Sequence, residues 1–330
     1  MPNFQIFMAN LHYIIDLTTW RRVPQDGWIL HKGLYMAITY AFCCLFFSAL
    51  NDFIFKLFAN SSAGGGGARR RSCGLFVSIV GLIWFAFVVW LPHAEGTTFQ
   101  ATLLWGVISG FFSLVGNILL IESMGYQSAG VSSTIYRLNM VLVVIGAFLF
   151  LNEPLTWRIV AGVVCAFVAV MAFIPKRTAE TAAQDAAKAK LGFTLAVLAS
   201  VLRAGMGLSY KYGFSHQADP NGVTKLNAFF WLAGGVLYSL FREHKVSLPT
   251  KHDWLIGVTS GVFVAGIVFF MAQMNACGNA SVVNPIAQMS FLGTFLLSAV
   301  FLKEKMTMQK IIAVLFGIGA IAFLTIQMPS

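Results

Sequence analysis

Charge is scarce in this chain, and acid is scarcest. Of 330 residues only 12 are Asp or Glu, and just two of these, Asp52 and Glu122, fall inside apolar segments. With 58% hydrophobic and 10% charged residues and a mean hydropathy of +0.77, the composition excludes a soluble globular domain and requires an integral, multi-pass membrane protein. The five cysteines have no C-x-x-C spacing and lie in or beside apolar segments, which argues against a disulfide framework or a zinc site. All six histidines fall in the tail, the connections or the span ends. With no H-E-x-x-H, no G-x-S-x-G and no acid pair at metal spacing, an enzyme embedded in the membrane is disfavoured and no cofactor or metal is expected. Proline is likewise kept out of the spans, Pro285 excepted. Residues 1–33 lack the n-region, h-region and cleavage site of a signal peptide, so none is expected to be removed.

What the chain does have is itself, twice. At an offset of 151, Gly106 falls on Gly257, Ser109-Gly110 on Ser260-Gly261, Phe112 on Phe263, Ala129 on Ala280, and Glu153 on Glu304. Shared apolar composition would not keep glycine and polar positions in register through three segments, so the chain is an internal duplication. The pattern predicts ten helices of roughly membrane-spanning length, at 34–58, 73–91, 101–124, 127–151, 157–174, 191–214, 223–241, 254–276, 279–302 and 308–327. The expected organisation is an N-terminal tail (1–33), a first five-helix repeat (34–174), a polar linker (175–190) and a second repeat (191–327). Because each half holds an odd number of helices, the two must enter from opposite sides, giving an all-α membrane protein of two inverted five-helix repeats. The net charge of +10 does not indicate nucleic acid, because most Lys and Arg lie in connections or the tail, as topology and headgroup anchors. Connections after the odd-numbered helices carry thirteen of them, and the side bearing the termini carries five. That bias places both termini outside.

The turn Phe150-Leu151-Asn152-Glu153-Pro154-Leu155-Thr156 with Gly162, and its copy Phe301-Leu302-Lys303-Glu304-Lys305-Met306-Thr307 with Gly317, resemble those of EamA-type ten-helix members of the drug/metabolite transporter superfamily. Asn279 to Pro285 also resembles that family's entry into the ninth helix. The resemblance covers roughly 34–327. It implies a secondary transporter, an exporter or exchanger, that moves a small organic metabolite across the plasma (inner) membrane by alternating access. Amino acids and their relatives are among the implied solutes. It also implies cytoplasmic termini, against the charge count, and both orientations stay open.

An ionisable residue within a membrane span is a functional candidate by default. Arg137, near the middle of the fourth span, could anchor a solute carboxylate or phosphate bidentately, or be permanently paired to an acid. Its repeat counterpart is Gln288. Arg203, near the centre of the sixth span, is a second candidate. Tyr136, Asn139, Asn284, Tyr210, Asn117 and Ser290 could line the site or simply bond between helices. Asp52 reads as a counter-ion to Arg137 or Arg203, or as a proton carrier, with pairing favoured; Glu122 is a further coupling or charge-pairing candidate. Lys56 and Lys211 are expected to snorkel towards headgroups, and Glu153 and Glu304 to cap helices or pair with neighbouring bases. Gly106-x-x-x-Gly110 and Gly257-x-x-x-Gly261 read as packing faces within the chain rather than dimer motifs, with a homodimer left open. The expected partners are a small organic solute and the lipid bilayer. The solute is expected to carry an anionic group, with the halves rocking about Arg137 and Gln288. A channel remains a rival reading, but no filter sequence repeats.

Overall fold

The computed structural model describes residues 27–63, 72–124, 126, 132, 135–172, 186–242, 250–290, 292–293 and 308–325. The protein is all-α, with ten helices and no strand among the described residues. They are α1 (Gly27–Ala63), α2 (Cys73–Val88), α3 (Phe99–Met124), α4 (Asn139–Leu151), α5 (Trp157–Ala172), α6 (Ala186–Ser215), α7 (Pro220–Phe241), α8 (Lys251–Cys277), α9 (Ala280–Gln288) and α10 (Met308–Thr325). Stretches of α1, α3, α6 and α8 are each long and apolar enough to cross a bilayer. α1 and α6 begin several residues earlier than hydropathy alone marks, because a helix can run on past the apolar stretch that the bilayer selects.

Local chemistry sets the starts and stops. Ser72 accepts a bond from Leu75 N at 3.0 Å to cap α2. Asp219 caps α7 through Asn221 N and Gly222 N, with Pro220 at the first helical position. Thr250 and Asp253 form a capping box on α8. α4 stops at Asn152, whose φ of 52° lies in the left-handed region that asparagine tolerates.

The main packed pairs are α1–α8, α3–α6, α2–α7, α5–α10, α3–α7, α2–α8, α4–α9, α1–α9 and α4–α6. Exchanging each helix for the one five places along returns the same set. At the α2–α7 crossing, Gly74 and Ser78 meet Gly235 and Ser239: a Cβ added at Gly235 would come within 2.7 Å of the Gly74 carbonyl, and one at Gly74 would strike Gly235 and Ser239. Only the missing side chains allow that approach. The two Gly-x-x-x-Gly faces are also covered within the chain, Gly106 and Gly110 by α7 and Gly257 and Gly261 by α2. Beside the crossing, Trp84 and Trp231 pack edge to face at 5.8 Å, and Trp231 donates to Ser113 Oγ at 2.8 Å.

One end of the bundle is tied by polar contacts. His93 Nδ1 lies 2.7 Å from Asp219 Oδ2, Lys225 donates to the Leu91 carbonyl at 2.7 Å, and Thr98 N bonds the Gln217 carbonyl at 2.8 Å. The α2–α3 and α6–α7 connections therefore meet at this end.

Candidate functional site

The fourth predicted span is broken. Leu138 N bonds Ile135 O at 3.1 Å and Val141 N bonds Leu138 O at 3.1 Å, three-residue steps that interrupt the α-helical ladder just before α4. The same interruption stands 151 residues later, where Met289 N bonds Ile286 O at 3.0 Å and Leu292 N bonds Met289 O at 3.0 Å. Arg137 and Gln288 each sit one residue before a break, so Arg137 is at a discontinuity rather than in mid-helix. A broken helix exposes main-chain acceptors within the membrane, which is how many carriers build a binding site.

The consequence is visible at once. Leu292 N is committed to Met289, so the Gln288 carbonyl lacks its usual helical donor, and Arg137 Nη1 supplies one at 2.9 Å. Nη1 also donates to Ser290 Oγ at 2.6 Å, and Nη2 pairs with Asp52 Oδ2. Ser290 Oγ stands 3.5 Å from the same carboxylate oxygen. The repeat mates Arg137 and Gln288 thus touch directly, but Gln288 contributes its carbonyl, which side-chain chemistry could not foretell. Arg137 is buried and held on several sides by α1 and by the break after α9.

Arg203, on α6, is held differently. The bond given by its guanidinium is from Nη1 to Met206 Sδ, at 3.1 Å, and its Nε is buried without a partner. Ser200 Oγ, one turn earlier on the same helix, is also buried and unpartnered. The charge of Arg203 acts on Tyr136, Arg137, Tyr210 and Cys44, which places these groups around it. No carboxylate pairs with Arg203 among the described residues. Buried polar atoms are normally satisfied; among the described residues Arg203 Nε, Ser200 Oγ and, on α2, Trp84 Nε1 are not, and the first two stand within one helical turn of each other.

The other candidates divide between this centre and the frame. Tyr136 lies at the first break, and its carbonyl accepts from Asn139 Nδ2 at 2.7 Å, so Asn139 stabilises the interruption itself. Tyr210 is fully buried and accepts from Asn227 Nδ2. Asn284 donates to Asn275 Oδ1 at 2.7 Å and to Ala280 O at 3.1 Å. Asn117 bonds Ser113 O on its own helix at 2.8 Å, and Glu122 accepts from Tyr238 OH on α7 at 2.7 Å. Lys211, expected to snorkel, donates from Nζ to the Gly278 carbonyl at 2.7 Å, at the end of α8, where a C-terminal carbonyl needs a donor. Glu153 caps a helix, but one in the other half of the chain. Its oxygens accept from Ala280 N at 2.8 Å, from Ser281 N at 2.9 Å and from Ser281 Oγ. Glu304 lies outside the described residues, as does the side chain of Lys56. Sequence reasoning missed Asn227, Asn275, Cys44 and Met206 as neighbours. The repeat does offer one signal: the mates Ser109 and Ser260 each donate to an asparagine on another helix, Asn227 at 2.9 Å and Asn51 at 2.7 Å.

Comparison with known proteins agrees with this architecture. Residues 190–326 match the EamA-like transporter family. A Lactococcus lactis protein named "Putative sugar uptake protein YxfA" is 24% identical over 271 residues, spanning 79% of this chain and 88% of that protein. An uncharacterized protein of Haemophilus influenzae is 25% identical over 258 residues, spanning 72% and 83%. A protein of known crystal structure superposes with a TM-score of 0.66 at 17% identity, over 87% of this chain and 95% of that one. At that identity the likeness speaks for the fold alone.

Proposed function

We propose, from an EamA-like transporter domain in the second half of the chain, that the protein is a secondary transporter for a small organic solute bearing an anionic group. It works as an exporter or exchanger by alternating access in the plasma (inner) membrane. The observation that carries this reading is the pair of orphaned donors on α6, Arg203 Nε and Ser200 Oγ, beside two helix breaks in repeat register. A guanidinium with free donors offers a planar fork suited to a carboxylate or phosphate. Arg137, engaged by Asp52, serves as the facing wall of the same site, with the tyrosine hydroxyls of Tyr136 and Tyr210 completing it. The set of helix pairs unchanged by a five-helix exchange supports two related halves that rock against each other about α4 and α9.

A second reading has a specific observation behind it. One relative carries a sugar-uptake name, and the amides and phenols around the breaks are groups that bind neutral polyols as well as anions. Solute counterflow in proteoliposomes separates the two, with amino acids, organic acids, phosphorylated metabolites and neutral sugars offered singly. Exchange confined to anionic or zwitterionic solutes, and lost in Arg203→Gln, is the expected result. Exchange of neutral sugars that persists in Arg203→Gln would overturn the anionic reading.

A further inference from the structure

α9 is short, and both of its ends are held by side chains from the first half of the chain. At its N-terminus the Glu153 carboxylate accepts from Ala280 N, Ser281 N and Ser281 Oγ. Just beyond its C-terminus Arg137 donates to Gln288 O and Ser290 Oγ. Nine residues of helix span only about 13 Å, so the two holds stand at the ends of one short rod, with Pro285 inside it. All nine residues of that rod are buried.

The N-terminal hold is more than a cap. Free N–H groups at a helix start carry partial positive charge, and a carboxylate that bonds them is favoured by hydrogen bonding and by the helix dipole together. Here that carboxylate follows the last residue of α4, across the chain's midpoint. Beside it, Lys211 ties α6 to the α8 terminus through Gly278 O, and the Glu153 carboxylate lies within electrostatic reach of its ammonium. α4, α6, α8 and α9 therefore converge here, and the carboxylate and the ammonium join them. Nothing in the static fold requires these bonds to persist while the halves rock.

We infer that Glu153 and the N-terminus of α9 form the gate at this end of the carrier, with α9 as the lever that links the gate to Arg137. While Arg137 holds Gln288 O and Ser290, the rod stays seated and Glu153 remains bonded. Releasing Arg137 from the C-terminal end frees the rod to tilt, which draws Ala280 and Ser281 off the carboxylate and opens a path beside Lys211 and Cys277. Glu153 is thus a positioning residue for transport, acting on the central site through α9. This rests on the carrier reading, but its test needs no transported solute.

Cys277, half-buried beside the gate, reports it. In full-length protein with Cys43, Cys44, Cys73 and Cys165 replaced by serine or alanine, the rate of Cys277 modification by a water-soluble maleimide is measured in detergent and in proteoliposomes. Glu153→Gln removes a charge-assisted hold and should raise the rate about tenfold; Ser281→Ala, which removes only the hydroxyl bond, should raise it about threefold. Arg137→Gln should raise it as well, although it lies at the far end of α9, and Glu153→Asp should restore part of the slow rate. Unchanged labelling in Glu153→Gln and Ser281→Ala, with the proteins eluting as folded monodisperse species, would overturn the gate. A rise in both with none in Arg137→Gln would overturn the lever. Should Glu153→Gln fail to fold, Ser281→Ala and Arg137→Gln carry the same comparison. Loss of counterflow in Arg203→Gln at an unaltered Cys277 rate concerns the solute site alone, so the two readings fail separately.

Discussion

Arg137 and Arg203 lie near each other within the bundle and carry the same side chain, yet their surroundings differ in kind. Arg137 is bound to a carboxylate, a carbonyl and a hydroxyl; Arg203 has a thioether and an orphaned Nε. The first is engaged within the protein, whereas the second keeps a buried donor without a partner, the state that the proposed solute site requires. A buried charge is costly wherever it stands, so the number of its bonds, rather than its depth, indicates which purpose it serves. The distinction also separates α1, which supplies the neutralising acid, from α6, which supplies none among the described residues.

The comparison can be broken by experiment, and the largest effects come first. Arg137→Leu leaves Asp52 without its partner and should lower unfolding stability by about 3–5 kcal/mol in thermal or denaturant melts. Arg203→Leu should leave stability unchanged or raised while counterflow falls about 100-fold, roughly 2.7 kcal/mol at the transition state. The reverse pattern would exchange the roles of the two arginines. Replacing the pair together, as Asp52→Leu with Arg137→Met, should return stability to within about 1 kcal/mol of the parent, because an apolar pair avoids the desolvation cost. A double variant as unstable as Arg137→Leu would show that Gln288 O and Ser290, not Asp52, are the essential partners. Gly235→Ala tests the frame with no charge involved: its Cβ meets Ser78 Oγ and the Gly74 carbonyl, at an expected cost of about 1–3 kcal/mol. Smallest, Ser109→Ala and Ser260→Ala should each cost about 1 kcal/mol, and near-equality of the two would extend the likeness of the repeat mates from geometry to energy.

Much of the frame was legible in the sequence because it depends on spacing. Ten helices and the glycine faces follow from periodicity and the 151-residue register, and a capping role for Glu153 follows from its place in a turn, but not that the capped helix lies in the other half. The breaks at Leu138 and Met289 were not legible. Neither residue is a glycine or proline, and both lie inside segments that read as continuous spans. The interruption is stabilised instead by Asn139 reaching back to the Tyr136 carbonyl, a choice that propensity does not encode. Asp52 could be named as a partner for Arg137 or Arg203, since it is one of only two acids in the spans, but choosing between the arginines requires the path of α1 against α8 and α9. Lys211 could be placed near a helix end, where a long side chain usually finds headgroups, but its bond to the Gly278 carbonyl depends on where α8 ends in space.

The α2–α7 crossing has a consequence for how such a chain can change over generations. Gly74 and Ser78 face Gly235 and Ser239 with no room for an added carbon at either glycine, so each glycine is confined by residues in the other half of the chain. A drift towards bulk in one half must be answered by a concession in the other, or the two separate. Elsewhere the halves are at liberty to part company, as Arg137 and Gln288 already have; at this crossing they inherit each other's constraints and can only be edited as a pair.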